Sequence, residues 1–241
     1  KIMDIAKRND LFVIEDAAQA IDSYYKGAPL GSIGNMATFS FHETKNVICG
    51  EGGMLVINDD KFIERAEIIR EKGTNRSQFY RGEVNKYGWM DIGSSFLPSD
   101  IIAAFLYAQL ENIDIIQSQR KSIWNIYYNG LLDLHEKGEI KIPELLTEDT
   151  NNAHLFFIVL PSKDVRDKFL SYMRGKGVNP VFHYLSLHKS PFYEDKYDGS
   201  ELVHSDRYTD TLVRLPLYYT LTTEEIDYIL ECILEYFHCV K

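Results

Sequence analysis

Three short apolar runs in the first quarter of the chain constrain its fold more than any other feature. They cover residues 11–14, 37–41 and 54–57, and polar or glycine-containing segments bound each of them. Short runs that are apolar at most positions are typical of strands covered on both faces. Apolar residues at helical spacing in 2–6 and in 62–72 predict one helix before the three runs and one after them. The sequence therefore predicts a sheet within an α/β layer architecture.

The second half of the chain has a different pattern of apolar and polar residues. A polar segment, 73–98, which we interpret as a loop, leads to a long helical region from Ile101 to about Lys137 that is interrupted once. Ser99 or Asp100 is the expected N-cap of this region. Beyond it, alternating short patterns predict strands at 140–143, 154–160 and 178–184, with a helix at 165–176. This change in pattern predicts two domains, residues 1–118 and 119–241, and the second is expected to be of α+β class.

The end of the chain carries the clearest helix signal. Thr222 and Glu225 stand at the spacing of a capping box, in which each side chain accepts from the other residue's backbone N–H. An apolar stripe at helical spacing follows, made of Ile226, Ile229, Leu230, Ile233 and Phe237. This pattern predicts an amphipathic helix.

Composition excludes several classes of protein. The 241 residues are 45% hydrophobic, which excludes disorder, and 26 basic against 36 acidic residues give a net charge of −10, which disfavours nucleic acid as a partner. No apolar run approaches the length of a membrane span, and the three cysteines show no disulfide or metal-ligand spacing. We expect a soluble cytoplasmic protein with no metal and no membrane partner. The first apolar residues stand at helical spacing with no start signal before them, as at the end of a helix, so we expect a chain that begins within a domain.

Two adjacent carboxylates follow the first apolar run. Glu15 and Asp16 come directly after residues 11–14. Ligands of open α/β sheets bind beyond the carboxyl ends of strands, so a carboxylate there is a candidate site residue. The alternative is that Asp16 caps a helix over residues 17–20, and these residues alone favour neither interpretation.

A lysine and a serine follow the second apolar run. Ser40 stands near its end, and Lys45 lies in the loop that leads to the glycine cluster at 50–53. A lysine held at the end of a buried strand can act as an amine nucleophile toward a carbonyl, and a serine hydroxyl can bind phosphate. The alternative is a surface lysine beside a tight glycine turn, which is the more common setting of a single lysine.

A basic segment interrupts the acidic chain. Residues 72–86 carry four cations against one acid, a net charge of +3 (4 − 1): Lys72, Arg76, Arg81 and Lys86 against Glu83. Tyr80 lies within the segment and Tyr87 directly follows it. Guanidinium groups bind phosphate oxygens in pairs and aromatic rings stack on bases, so the segment is a candidate site for a nucleotide diphosphate. The alternative is a solvated loop.

Two histidines, His183 and His188, follow the predicted strand at 178–184. Their spacing lacks the third ligand of a zinc site, so no metal is predicted. A histidine pair in a loop is more often structural. Asn152 and His154 receive no assignment from spacing alone.

Taken together, these segments resemble the DegT/DnrJ/StrS family of pyridoxal-phosphate sugar aminotransferases. The resemblance rests on motifs whose order and spacing run along the whole chain: Val13-Ile14-Glu15-Asp16-Ala17-Ala18-Gln19, Gly31-Ser32-Ile33-Gly34, Phe39-Ser40-Phe41-His42-Glu43-Thr44-Lys45-Asn46, Gly50-Glu51-Gly52-Gly53, Ala103-Ala104, His183-Tyr184 with Leu187-His188, and Leu215-Pro216-Leu217-Tyr218. It implies the type I aminotransferase fold, with a partial large α/β domain followed by a small C-terminal α+β domain. It also implies a homodimer with shared active sites.

The resemblance also implies roles for four residues. Lys45 matches the Schiff-base lysine that binds pyridoxal 5′-phosphate, and Asp16 matches the partner of the pyridine nitrogen. Gln19 matches the residue near the ring hydroxyl, and Ser40 matches a ligand of the cofactor phosphate. Members of this family have a further N-terminal part that includes a phosphate-binding helix N-terminus, so we expect this chain to lack that part.

Finally, the resemblance implies a nucleotide-sugar transaminase. The segments 41–46, 70–79 and 89–95 resemble members that transfer an amino group from L-glutamate to C4 of dTDP-4-keto-6-deoxyglucose. Five residues are the substrate-binding candidates: Arg76, Tyr80, Arg81, His183 and His188. The alternatives are a transaminase for another sugar or a UDP carrier, and an inactive fragment that at most binds a ligand.

Overall fold

The structure, a computed structural model, describes residues 1–144 and 150–240 and divides into two compact units. The first unit consists of Lys1–Ile116 together with residues 150–152. The second consists of the described residues from 117–144 and from 153 onward. Among the described residues, no helix is both long and apolar enough to span a bilayer.

The first unit is built around a small mixed sheet. Its strands are β1 (Ile14–Asp16), β2 (Tyr24–Tyr25), β3 (Ala28–Pro29), β4 (Met36–Ser40) and β5 (Gly53–Ile57). The three-stranded sheet has the order β1-β4-β5, and β2 pairs with β3 in a separate hairpin. β1 runs parallel to β4, whereas β5 is antiparallel to it. The carboxyl ends of β1 and β4 therefore lie at the same edge.

The helices of the first unit are α1 (Ile2–Arg8), α2 (Ile63–Arg70), α3 (Arg76–Tyr80) and α4 (Asp100–Glu111). The predicted cap of α4 is confirmed, since the Ser99 hydroxyl accepts from the Ile102 N–H. The predicted interruption is also confirmed: α4 ends at Glu111, and the side chain of the C-cap residue Asn112 donates to the Ala108 carbonyl at 2.8 Å. The interpretation of 73–98 as loop throughout is wrong at α3, where the Arg76 guanidinium and the Tyr80 hydroxyl bond one turn apart.

The predicted burial of the strands on both faces is also wrong for this unit. Ile14 is 60% exposed, and Met54 and Leu55 are exposed as well. The buried cluster of the unit, which contains Phe41 and Val47 with α4 packed on them, is centred on the loop after β4 rather than on the strands. The described part of the unit therefore covers only part of its own sheet.

The second unit has α+β architecture. Its elements are α5 (Ile113–Glu136, which begins in the first unit), β6 (Phe156–Val159), α6 (Lys163–Gly175), β7 (Val181–Phe182), α7 (Val203–Thr211), β8 (Leu212–Leu215) and α8 (Thr223–Glu235). The sheet is antiparallel with β8 in the centre, in the order β6-β8-β7. Helices α5, α6 and α8 pack on the sheet around Tyr127, Phe169 and Ile233, which are fully buried.

Two predictions for the second unit have different outcomes. The capping box of α8 is confirmed, because Thr222 and Glu225 exchange both hydrogen bonds. The strand predicted at 140–143 is reduced to a single bridge between Lys141 and Val159. Pro143 has no N–H to donate, so the pairing cannot continue past it.

Candidate active site

The ends of β1 and β4 bring four of the predicted site residues to one edge of the first sheet. Asp16 is the last residue of β1 and lies opposite Thr38, and Ser40 is the last residue of β4. The Ala17 N–H donates to the Thr38 carbonyl at 2.9 Å, which keeps the segment that follows β1 next to β4. Gln19 and Lys45 follow on the two loops that leave this edge.

Asp16 presents its carboxylate to solvent. One of its oxygens accepts from the Ala18 N–H at 3.1 Å, which forms a turn. Residues 17–20 are not helical, so the capping alternative for Asp16 is wrong. No ion pair involves Asp16 within the described residues, which leaves its negative charge available to a ligand.

Lys45 lies in a loop that is closed by backbone hydrogen bonds. Its N–H donates to the His42 carbonyl at 2.9 Å, and the Cys49 N–H donates to the Phe41 carbonyl at 2.7 Å. Lys45 is half-buried, and its amine has no ion-pair partner in the part of the chain that the structure describes. The amine therefore lies on the loop that follows β4 and is not held by a carboxylate of the described residues, so it is available to a carbonyl ligand.

The glycines after this loop allow the backbone to pass closely. A Cβ atom on Gly52 would lie 2.6 Å from the Cys49 sulfur, and one on Gly53 would lie 2.9 Å from the Phe39 carbonyl oxygen. Gly52 therefore allows the backbone to pass close to Cys49, and Gly53 allows the close approach of β5 to β4.

Asn152, to which the sequence assigned no role, connects the two loops. The buried Asn46 side chain donates to the Asn152 carbonyl at 2.7 Å, and the Asn152 side chain donates to the Gln19 and Ile21 carbonyls at 2.8 Å each. The side chain of Asn46, next to Lys45, and the backbone at Gln19 are thus linked through one residue more than a hundred positions later in the chain. A sequence pattern contains no signal for this contact.

Glu15 has a different role from its neighbour Asp16. Its carboxylate accepts three backbone N–H groups, from Gly31 at 2.8 Å and from Ile33 and Gly34 at 2.7 Å. Burial by itself raises the pKa of Glu15, but the three hydrogen bonds together outweigh it and lower that pKa. Of the two adjacent carboxylates, Glu15 fixes the loop before β4 and Asp16 faces outward.

Much of the positive charge of the 72–86 segment is compensated in the structure. The Arg81 guanidinium donates to both oxygens of Glu67, at 2.8 and 2.9 Å, and to Glu83 at 2.6 Å. These bonds, Glu83 first and then Glu67, raise the pKa of Arg81. Arg76 bonds the hydroxyl of the largely exposed Tyr80 and lies 3.7 Å from Glu71. A phosphate at Arg81 would therefore compete with two carboxylates.

His183 and His188 lie in the second unit, where they line a cavity of about 430 Å³ together with Tyr184, Ser205 and Tyr208. The His188 Nε2 atom is 3.2 Å from an Asp206 oxygen, and that residue also pairs with Lys189 at 2.7 Å. Within the described residues, no group of three histidine, cysteine, aspartate or glutamate side chains is arranged to hold a metal ion.

The comparisons with known proteins agree on one family. The model of the DegT/DnrJ/EryC1/StrS aminotransferase family matches residues 1–234. GDP-perosamine synthase of Escherichia coli O157:H7 is 30% identical over 243 residues, which cover 98% of this chain and 61% of that protein. The spore coat polysaccharide biosynthesis protein SpsC of Bacillus subtilis strain 168 is 26% identical, with 96% of this chain and 61% of that protein covered.

Solved structures lead to the same result. The crystal structure of DesV from S. venezuelae in complex with a ketimine intermediate matches with a TM-score of 0.85 at 26% identity, covering all of this chain and 62% of that one. The fold is therefore that of the DegT-family aminotransferases, and the chain belongs to the DegT/DnrJ/EryC1/StrS aminotransferase family. It spans about 60% of the length of the curated relatives that it matches.

Proposed function

We propose that this chain forms the catalytic part of a pyridoxal-phosphate-dependent aminotransferase that acts on a nucleotide-linked keto sugar. The observation that carries the proposal is the common edge of β1 and β4. This edge gathers an outward carboxylate, a hydroxyl and an amine that has no ion pair within the described residues. Family membership supports the reaction class.

The residues at this edge fit the proposed cofactor. When bound, pyridoxal phosphate supplies an aldehyde that accepts an amine and a ring that withdraws electrons from the substrate carbon. Lys45 would hold the aldehyde, and Asp16 would keep a proton on the ring nitrogen through its negative charge. Gln19 would lie near the ring hydroxyl, and Ser40 would donate to the phosphate. Once released, the Lys45 amine would move a proton at the substrate carbon.

For the substrate, we propose L-glutamate as the amino donor and C4 of dTDP-4-keto-6-deoxyglucose as the acceptor. This is the reaction of dTDP-4-amino-4,6-dideoxygalactose transaminase in the synthesis of enterobacterial common antigen. The segments 70–79 and 89–95 support this choice. In this proposal, five residues contribute to substrate binding: Arg76, Tyr80, Arg81, His183 and His188. Arg81 would exchange a carboxylate partner for phosphate.

The test is a Lys45→Ala variant in the longest protein that contains these residues. We expect turnover with glutamate and the dTDP-keto sugar to be abolished, since the covalent route and its proton carrier are both lost. Borohydride reduction followed by peptide mass spectrometry should place the cofactor on Lys45 in the unmodified protein and nowhere in the variant. The matched control is Lys7→Ala on an exposed face of α1. Cofactor trapped on a different lysine would contradict the proposal.

A related nucleotide-sugar transaminase is the second candidate. One relative carries GDP in its name, so the family is not restricted to one carrier. Parallel assays with dTDP-, UDP- and GDP-linked keto sugars would distinguish the candidates. If only the dTDP sugar is converted, the first candidate stands.

We also propose a homodimer. None of the twelve residues of α4 is buried in the chain, although most of them are apolar. Ile102, Leu106 and Leu110 pack against the first core, whereas Ile101 is 82% exposed and Phe105 is exposed as well. A helix that is apolar on all sides requires cover on a second side.

A further inference from the structure

An arginine stands on the outer face of the sheet in the second unit. Along β8 the side chains alternate, so that Val213 and Leu215 enter the core while Arg214 points to the opposite face. β8 is the central strand, and Arg214 lies opposite Val181 of β7 and Phe157 of β6. The cation therefore stands between apolar neighbours on both sides.

This guanidinium lacks an anionic partner. No ion pair joins Arg214 to a carboxylate within the residues that the structure describes. One terminal nitrogen donates to the Phe182 carbonyl at 3.3 Å, and the group lies 5.7 Å from the Tyr184 ring. Its Nε–H is buried and finds no acceptor among the described residues. A partly buried charge with an unsatisfied donor is costly unless a ligand completes it.

His183 adds a second unsatisfied group at the same place. It follows β7 directly and is two residues after Val181, so the strand alternation places it on the Arg214 side. Its Nδ1 atom is buried and has no hydrogen-bond partner in the part of the chain that the structure describes. Burial first, and the Arg214 charge second, lower the pKa of His183, which favours the neutral ring. A neutral imidazole can donate one hydrogen bond.

We propose that Arg214, with His183 beside it, forms a binding subsite for a small anionic group of a substrate. The paired N–H groups of a guanidinium match the oxygens of a carboxylate or a phosphate. The inference rests on the proposed function for the source of this group, which is either the carboxylate of the amino donor or the phosphates of the nucleotide sugar. Arg214 is then a substrate-binding residue in addition to the five named above.

The first experiment measures binding without turnover. The chain is labelled with ¹⁵N-histidine, and the His183 ring resonance is followed while L-glutamate or dTDP is added. We expect a saturable shift with one of the two anions, and an affinity weakened roughly 10- to 100-fold by Arg214→Gln, which removes a charged hydrogen bond. The matched control is Arg174→Gln, at an exposed position of α6 in the same unit. Equal affinity in the two variants, or no saturable shift in the unmodified chain, would overturn the subsite.

The two anions distinguish the sources. A response to glutamate identifies the donor carboxylate, and a response to dTDP identifies the nucleotide phosphates. If circular dichroism shows that Arg214→Gln does not fold, Arg214→Lys replaces it in the test. Lysine keeps the charge and loses the paired N–H geometry, so we expect about tenfold weaker binding of the anion. An unchanged affinity in that variant overturns the subsite. Loss of the transaminase assignment in the Lys45 experiment would leave these binding results intact, so the two failures are distinguishable.

Discussion

At the scale of single residues, two adjacent carboxylates have opposite tasks. Glu15 is satisfied by three backbone N–H groups, whereas Asp16 keeps its charge toward solvent. We expect Glu15→Gln to destabilise the first unit by about 1–3 kcal/mol, because an amide nitrogen would face a backbone donor and a charged hydrogen bond would be lost. Chemical denaturation measures the change. Glu111→Gln, at the exposed end of α4, is the control.

The same residue predicts a pH dependence. Because the pKa of Glu15 is lower in the folded chain than in the unfolded chain, its contribution is complete above the unfolded value, near 4.5. The contribution declines as pH falls below that value and through the folded pKa. Denaturation series between neutral and acid pH should therefore converge for the unmodified chain and Glu15→Gln. Parallel curves with a constant gap would show that the hydrogen bonds to the carboxylate are not the cause.

The candidate site was predictable only where its residues are near strand ends. The apolar runs indicated where β1 and β4 end, which placed Asp16, Ser40 and Lys45 at one edge. Asn152 was not predictable, since its bonds to Gln19 and to the Asn46 side chain cross more than a hundred residues. Hydrophobic periodicity reports local exposure and contains no information on such distant contacts.

At the scale of elements, local signals predicted helices better than strands. α8 shows the reason, because its capping box and its apolar stripe lie within four turns of sequence. The pairing of β4 with β5 is antiparallel, and the exposure of Met54 and Leu55 depends on what the rest of the unit covers. Neither property can be derived from the apolar run itself. α3 was missed because it is only five residues long and has no apolar stripe.

The capping box of α8 gives a prediction at this scale. Thr222→Ala removes the acceptor of the Glu225 N–H, and we expect a loss of about 0.5–2 kcal/mol in the free energy of unfolding. Thr223→Ala changes the next residue, which lies inside the helix and caps nothing. Urea denaturation of both variants compares them. If the two variants lose equal stability, the effect is not one of capping.

At the scale of the whole molecule, exposed apolar side chains indicate what the chain needs around it. Trp89, Ile92 and Phe96 precede α4 and are exposed, with Trp89 at 80%. Together with Ile101 and Phe105 they form a set far more apolar than scattered surface residues usually are. In our proposal of a homodimer, a second copy covers this set.

Ile101→Asp is therefore expected to separate the two copies. In a twofold interface each substitution acts twice. Each buried isoleucine contributes about 1.5–3 kcal/mol to the free energy of association, so the dissociation constant of the dimer should rise about 100-fold or more. Sedimentation velocity over a range of concentrations measures it. The control is Val203→Asp, at an exposed apolar position of α7 in the second unit. A dimer that persists unchanged in Ile101→Asp would mean that α4 is not at the interface. An unmodified protein that stays monomeric at every concentration would mean that some other part of the protein covers this surface.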